Sequence, residues 1–183
     1  DCHSMTSSLA SSSSVMSSAT SLMEYGFDFR ETMKRDSVGK TTVMLRNIPN
    51  NYTRELLIEL LDVHGARPSY NMVYLPIDFA SNAGFGYAFV NFVAQKEAEA
   101  FMDRVQGFRS WSVSSEKVLE ATWSSAHQGI ESHIARYRNS PVMHASVPDE
   151  QRPALFKDGV RIPFPTPTKK LKAPRPRNEA GSA

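Results

Sequence analysis

Apolar residues recur with two different periods through the middle of the chain and with neither period at its ends. Thr42-Val43-Met44-Leu45-Arg46-Asn47-Ile48 is a strand-forming run stopped by Pro49. Leu56, Leu57, Leu60 and Leu61 then recur at helical spacing behind Thr53, a good N-cap, and Gly65 is the natural stop. A second strand is predicted over 71–77, carrying Val73, Tyr74 and Leu75, and a third over 86–92 after a loop through Asn82 and Gly84. Ala98, Phe101, Met102 and Val105 predict a helix over 95–105 that Gly107 closes, and 117–123 reads as a fourth strand. Beyond it, Ile130, Ile134 and Tyr137 recur at i, i+4 and i+7, which predicts a third helix.

The order is βαββαβ, so the expected class is α+β. It is a ferredoxin-like sandwich with a four-stranded antiparallel sheet, two helices on one face and an added C-terminal helix. The usual strand order, 4-1-3-2, places the second strand at an edge, where Pro76 is tolerated. The domain is expected over 41–140. Residues 1–40 are Ser-rich and aperiodic, and 141–183 is a Pro-rich basic tail, so 1–40 is expected to be disordered and 141–183 mostly so.

Composition changes this picture in two places. A single cysteine, Cys2, leaves no disulfide framework and no thiolate zinc site. The net charge of +2 divides into −1 over 1–40, −2 over 41–124 and +5 over 125–183. Positive charge therefore belongs to the C-terminal region and not to the body of the domain. No apolar run is long enough to span a bilayer, and neither a cofactor nor a membrane partner is expected.

Strand parity isolates the candidate chemistry. In the third strand Gly86, Ala88, Val90 and Phe92 face one way, and Tyr87, Phe89 and Asn91 face the other. Two aromatics on a face that the fold leaves open are out of place on a half-solvated sheet, and a stacking platform for bases accounts for them. The same face should carry Thr42, Met44 and Arg46 from the first strand and Met72 and Tyr74 from the second. Arg136 and Arg138 on the third helix, with Lys169, Lys170 and Lys172 in the tail, are candidate accessory phosphate contacts.

These residues also carry a resemblance. Phe85-Gly86-Tyr87-Ala88-Phe89-Val90-Asn91-Phe92 resembles the octamer of RNA recognition motifs, and Val43-Met44-Leu45-Arg46-Asn47-Ile48 resembles the matching hexamer. Phe85 replaces the usual basic residue and Met44 the usual stacking aromatic, which lowers the expected affinity. Longer stretches are similar to the C-terminal RNA recognition motif of the Mei2-like family of meiosis and development regulators. They include 41–53, Tyr74-Leu75-Pro76-Ile77-Asp78-Phe79, Gln128-Gly129, Tyr137-Arg138-Asn139-Ser140 and Arg152-Pro153-Ala154-Leu155-Phe156. The resemblance implies single-stranded RNA as partner, post-transcriptional control as process, and the nucleus or cytoplasm as location.

Two further readings bear on the same residues. The third helix either packs beside the sheet and extends its surface or lies across Tyr87 and Phe89. In the second case the domain becomes a protein-interaction module with a covered face. Catalysis is not expected: the loop 49–53 lacks an anion cradle, and His64, His127, His133 and His144 have no metal-site or base–nucleophile spacing.

Overall fold

The computed structural model describes residues 39–175; the expected Ser-rich segment, apart from Gly39 and Lys40, and the last residues of the tail lie outside the described residues. The predicted elements follow in order as β1 (Thr42–Arg46), α1 (Arg54–Val63), β2 (Tyr70–Tyr74), β3 (Tyr87–Phe92), α2 (Gln95–Val105) and β4 (Glu120–Trp123). Thr53 caps α1, its Oγ1 accepting from the Leu56 amide at 3.2 Å. The antiparallel order β4-β1-β3-β2 is the expected one. Val43, Leu45, Val73, Ala88, Val90 and Phe92 bury one face of this sheet against Leu57, Leu60 and Leu61 of α1 and Ala98, Phe101 and Val105 of α2. Each large side chain so buried contributes about 1.5–3 kcal/mol.

One irregularity decides which way β2 faces. The register shifts between Tyr70 and Met72, so Tyr70 joins the helix-side core beside Val73, and its hydroxyl donates to Asp62 Oδ1 at 2.8 Å. A bulge breaks the two-residue parity. Met72 and Tyr74 are thereby left facing the opposite side, as parity from Val73 requires.

The C-terminal region corrects the expectation for 141–183. The sheet has six strands, not four, and β2 is not an edge strand. After α3 (Ile130–Arg138) come two 3₁₀ turns, Pro141–Met143 and Asp149–Gln151, and then β5 (Ala154–Lys157) and β6 (Val160–Ile162). β5 pairs with β2 through Met72↔Leu155 and Val73↔Ala154, and β6 pairs with β5. Asp158 and Gly159 form the hairpin turn at φ 50° and 76°. An Asp-Gly pair between short apolar strands is the strongest short-range hairpin signal, and it overrides the Pro-rich composition around it. Pro76 lies beyond β2, where its carbonyl accepts from the Phe85 amide at 3.1 Å. No helix among the described residues is long and apolar enough to cross a membrane.

Arg54 ties this added layer to α1. The side chain is 6% exposed; it donates to the carbonyls of Asp149 and Arg152 at 2.5 and 3.0 Å and to Asp149 Oδ2 at 2.9 Å. Burial works against the Asp149 carboxylate, but Arg54 and Arg161 outweigh it and hold its pKa below the ordinary value. Replacing Arg54 by Ala is expected to lower stability by about 2–3 kcal/mol, since charge-assisted bonds and partners of buried carbonyls disappear together. Hydrogen exchange should show the loss at 149–162, with the β1–β3 ladder still protected.

Candidate nucleic-acid interface

The antiparallel register lays three rows of side chains across the face opposite α1 and α2. Arg46 stands between Glu120 and Tyr87 in the first row. Met44 stands between Thr122 and Phe89 in the second, with Tyr74 beyond Phe89. The third runs Thr42, Asn91, Met72, Leu155, Ile162. The eight residues expected to face RNA are therefore on one face of the sheet, but they are not equally accessible.

α3 covers the third row. Ile130, Ile134, Tyr137 and Val142 pack on Met72 and Leu155 as a second hydrophobic core. Thr42, Met72 and Asn91, expected to contact RNA, are each 0% exposed. Their polar atoms are spent inside the protein. Asn91 Oδ1 accepts from the hydroxyls of Thr41 and Thr42 at 2.9 and 2.7 Å, and its Nδ2 donates to Asn71 Oδ1 at 2.7 Å. Parity placed these residues on the correct face; what it could not show is that a helix lies over them.

His133 of α3 completes that seal. Its Nε2 is 3.1 Å from Thr42 Oγ1, whose proton is already directed at Asn91, so the imidazole nitrogen is the donor. Nδ1 is left buried without a partner. The ring lies parallel to Tyr137 at 6.0 Å and tilted to Phe89 at 6.1 Å.

The first row and part of the second remain open at the end where the loop between β2 and β3 arrives, with Tyr74 and Phe89 packed on one side against α3. Tyr87 and Phe89 meet edge to face at 5.7 Å, and Phe85 stacks beside Tyr87 at 6.3 Å with 20° between the rings. Phe85 is 43% exposed. These rings floor a cleft of about 400 Å³ whose walls include Tyr74, Phe79, Arg136, Tyr137 and Arg175. Tyr74 and Tyr137 pack edge to face at 4.8 Å, and burial pushes both phenols above their ordinary pKa, so both are neutral donors. The Arg136 guanidinium sits 5.8 Å from the Tyr137 ring centroid. Met44 is half-buried and Arg46 exposed.

The family model described as RNA recognition motif 2 matches residues 40–138, more than half of the chain. The chain belongs to that family. The match ends on the last residue of α3, so it takes in the helix that covers the third row. Its curated relatives are Mei2-like proteins. Protein MEI2-like 1 of Arabidopsis thaliana is 35% identical over 69% of this chain and 14% of that protein. Meiosis protein mei2 of Schizosaccharomyces pombe is 35% identical over 70% of this chain and 17% of its own length, and Protein terminal ear1 of Zea mays 32% over 78% and 24%. The chain thus spans at most about a quarter of these relatives. Among solved structures, the Rna15 RRM with bound RNA (GU) is 18% identical, with a TM-score of 0.42 over 54% of this chain and 97% of that one.

Within this RNA recognition motif, some residues of the site escape sequence reasoning. Phe85 counts in sequence only as a missing cation, yet in the fold it adds a third ring to the floor. Tyr137 reads as part of an apolar stripe and proves to be a wall. Arg175 has no sequence signal beyond the basic tail. Arg138 is half-engaged, its Nε donating to the Thr166 carbonyl at 2.6 Å, which weakens its candidacy as a phosphate contact.

The covering helix should be sensitive to acid. Burial above all, then His127 and Arg136, depress the His133 pKa from 6.5 to about 4. Below pH 6.5 the unfolded chain takes up a proton that the folded chain refuses until about pH 4, so stability is full above 6.5 and declines below it. The full decline amounts to roughly 3 kcal/mol. Denaturant midpoints at pH 7 and pH 5 are expected to differ in the parent and to differ less in His133→Phe.

Proposed function

We propose that this chain is a single-stranded RNA-binding module, with bases stacking on Phe85, Tyr87 and Phe89 in the cleft beside α3. The observation that carries the reading is the near-parallel pair of exposed Phe85 and half-buried Tyr87 on the floor of a cleft that α3 stops short of closing. Nucleobases have flat π-faces that such rings accept regardless of sequence. Met44 and Arg46 extend the platform toward β4, and Arg136 supplies positive charge at the wall. Tyr74 acts through its ring and its neutral hydroxyl.

Burial of the third row weighs on the rival reading. A protein-docking module with a covered face requires the helix to lie over both Tyr87 and Phe89; α3 covers Thr42, Asn91 and Met72 and packs against one side of Phe89 through His133, while Phe85 and Tyr87 stack at the other end of the face. The reading needs no reacting group, so the module is taken as a binder and not an enzyme. A relative with meiosis in its name, matched here over a minor part of its length, supports a role in post-transcriptional control of meiosis or development, and the nucleus or cytoplasm is proposed as the place of that role.

Tyr87→Ala and Phe85→Ala are each expected to weaken binding of unstructured RNA oligonucleotides by roughly 1–3 kcal/mol. Both rings are partly solvated, so the circular dichroism spectrum and melting temperature should hardly change. Fluorescence anisotropy titrations read the effect. A folded double variant that binds as tightly as the parent would sink the stacking account.

A further inference from the structure

The tail beyond β6 does not leave the domain at once. Arg138 Nε holds the Thr166 carbonyl, and the next residue, Asn139, forms a clasp on Thr168. Asn139 Nδ2 donates to Thr168 Oγ1 at 2.9 Å, and Asn139 Oδ1 accepts from the Thr168 amide at 3.0 Å. Further on, Arg175 stands among the residues lining the aromatic cleft, together with Tyr87, Phe89 and Arg136. The segment 166–175 therefore runs from the C-terminal end of α3 to the cleft. Pro167 and Pro174 favour an extended backbone along it.

Its chemistry is that of a polycation. Lys169, Lys170, Lys172 and Arg175 are all exposed, and none forms an ion pair among the described residues. The charge balance shows what they could supply. Residues 41–124 carry −2, Phe85 replaces the usual basic residue of the octamer, and Asp78 is an acid on the cleft wall. The domain's own cations on this face are few, Arg136 at the cleft wall and Arg46 in the first row. The segment that carries four more is anchored at Thr166 and Thr168 and reaches the cleft at Arg175.

We propose that residues 166–175 are a second limb of the RNA site. The Asn139–Thr168 clasp docks the tail so that its cations meet the phosphates of the strand whose bases stack on Tyr87 and Phe89. This rests on the reading of the cleft as a base-stacking site. Residues 166–175 flank the cleft and do not plug it, since about 400 Å³ stays open among the described residues with Arg175 at the wall and Phe85 remains 43% exposed.

The test titrates a fluorescein-labelled pool of random single-stranded RNA oligonucleotides with the full chain over a range of salt concentrations. Four variants accompany the parent. The quadruple variant Lys169→Gln, Lys170→Gln, Lys172→Gln, Arg175→Gln is expected to lose at least tenfold in affinity at low salt. Its log–log salt slope should flatten by up to roughly 3, at about 0.7 for each of the four phosphates that the variant no longer neutralises. Lys96→Gln with Arg104→Gln, which removes positive charge from α2 on the other face, should leave the slope unchanged. Asn139→Ala keeps every charge and frees the tail, so affinity should fall several-fold with most of the slope retained. The Asn139 side chain bonds only Thr168 among the described residues, so the variant should fold. Tyr87→Ala with Phe89→Ala reports on stacking itself.

A quadruple variant with the parent's slope overturns the limb, as does an α2 variant that flattens the slope equally. Tighter binding by the quadruple variant would make the tail an inhibitor and overturn it too. Unchanged affinity in Asn139→Ala overturns the clasp. A parent whose binding needs Tyr87 and Phe89 but ignores the tail defeats only this inference, whereas a parent that binds no RNA defeats the stacking reading as well.

Discussion

The arrangement of the sheet face depends on one side-chain amide. Gln128 makes four hydrogen bonds, all to backbone: its Oε1 accepts from the amides of Thr41 and Thr42, and its Nε2 donates to the carbonyls of Thr42 and Ser124. It thus joins the beginning of β1 to the end of β4 and fixes where the chain departs from the sheet. Gly129 follows at φ 82°, a conformation that side chains rarely adopt, although a Cβ there would meet nothing within 4 Å. The need for glycine is therefore conformational and not steric. The turn it makes starts α3 directly over Thr42, whose hydroxyl accepts from the Gly129 amide at 3.2 Å.

From that starting point the division of the face follows. A helix of nine residues is about 13 Å long, enough to lie over a single row of side chains across the central strands. Its apolar stripe of Ile130, Ile134 and Tyr137 finds the third row, and Leu155 of β5 enlarges the surface it buries. Tyr74 and Phe89 of the second row pack partly against this layer, and the first row, with Arg46 and Tyr87, lies farther along the strands beyond it. Phe85 then matters more than its position in the octamer implies. By stacking on Tyr87 it offers ring surface on the part of the face that is open, in exchange for the phosphate contact a basic residue would make.

The parts of this design that were legible in sequence are those governed by local periodicity. Strand and helix order, the Thr53 cap and the two-sided character of β3 all follow from spacing alone, because each is set within a few residues. The bulge at Asn71 cost nothing in that reading, since Val73 anchors the parity of the residues after it. Burial of Thr42 and Asn91 was not legible, because it arises from residues more than 35 positions later in the chain. The hairpin at Asp158-Gly159 was legible but masked: flanking prolines and lysines made the composition of 141–183 look like that of a solvated tail. Composition describes an average, and two strands of four and three residues vanish in it.

The wall of the cleft therefore belongs to a different layer from its floor. Phe85, Tyr87 and Phe89 sit on or beside β3, which the α1 and α2 core holds from behind. Tyr137 and Arg136 sit on α3, which is held by Met72 and Val142, by Leu155 of the hairpin, and through the hairpin by Arg54. A chain ending at Arg138 would keep every floor ring and the whole βαββαβ unit, yet lack Val142 and Leu155 beneath the wall. The shape of the site is thus set by residues outside the unit that defines the fold. Floor and wall can vary separately, one through the octamer and the other through the packing of α3 on the hairpin.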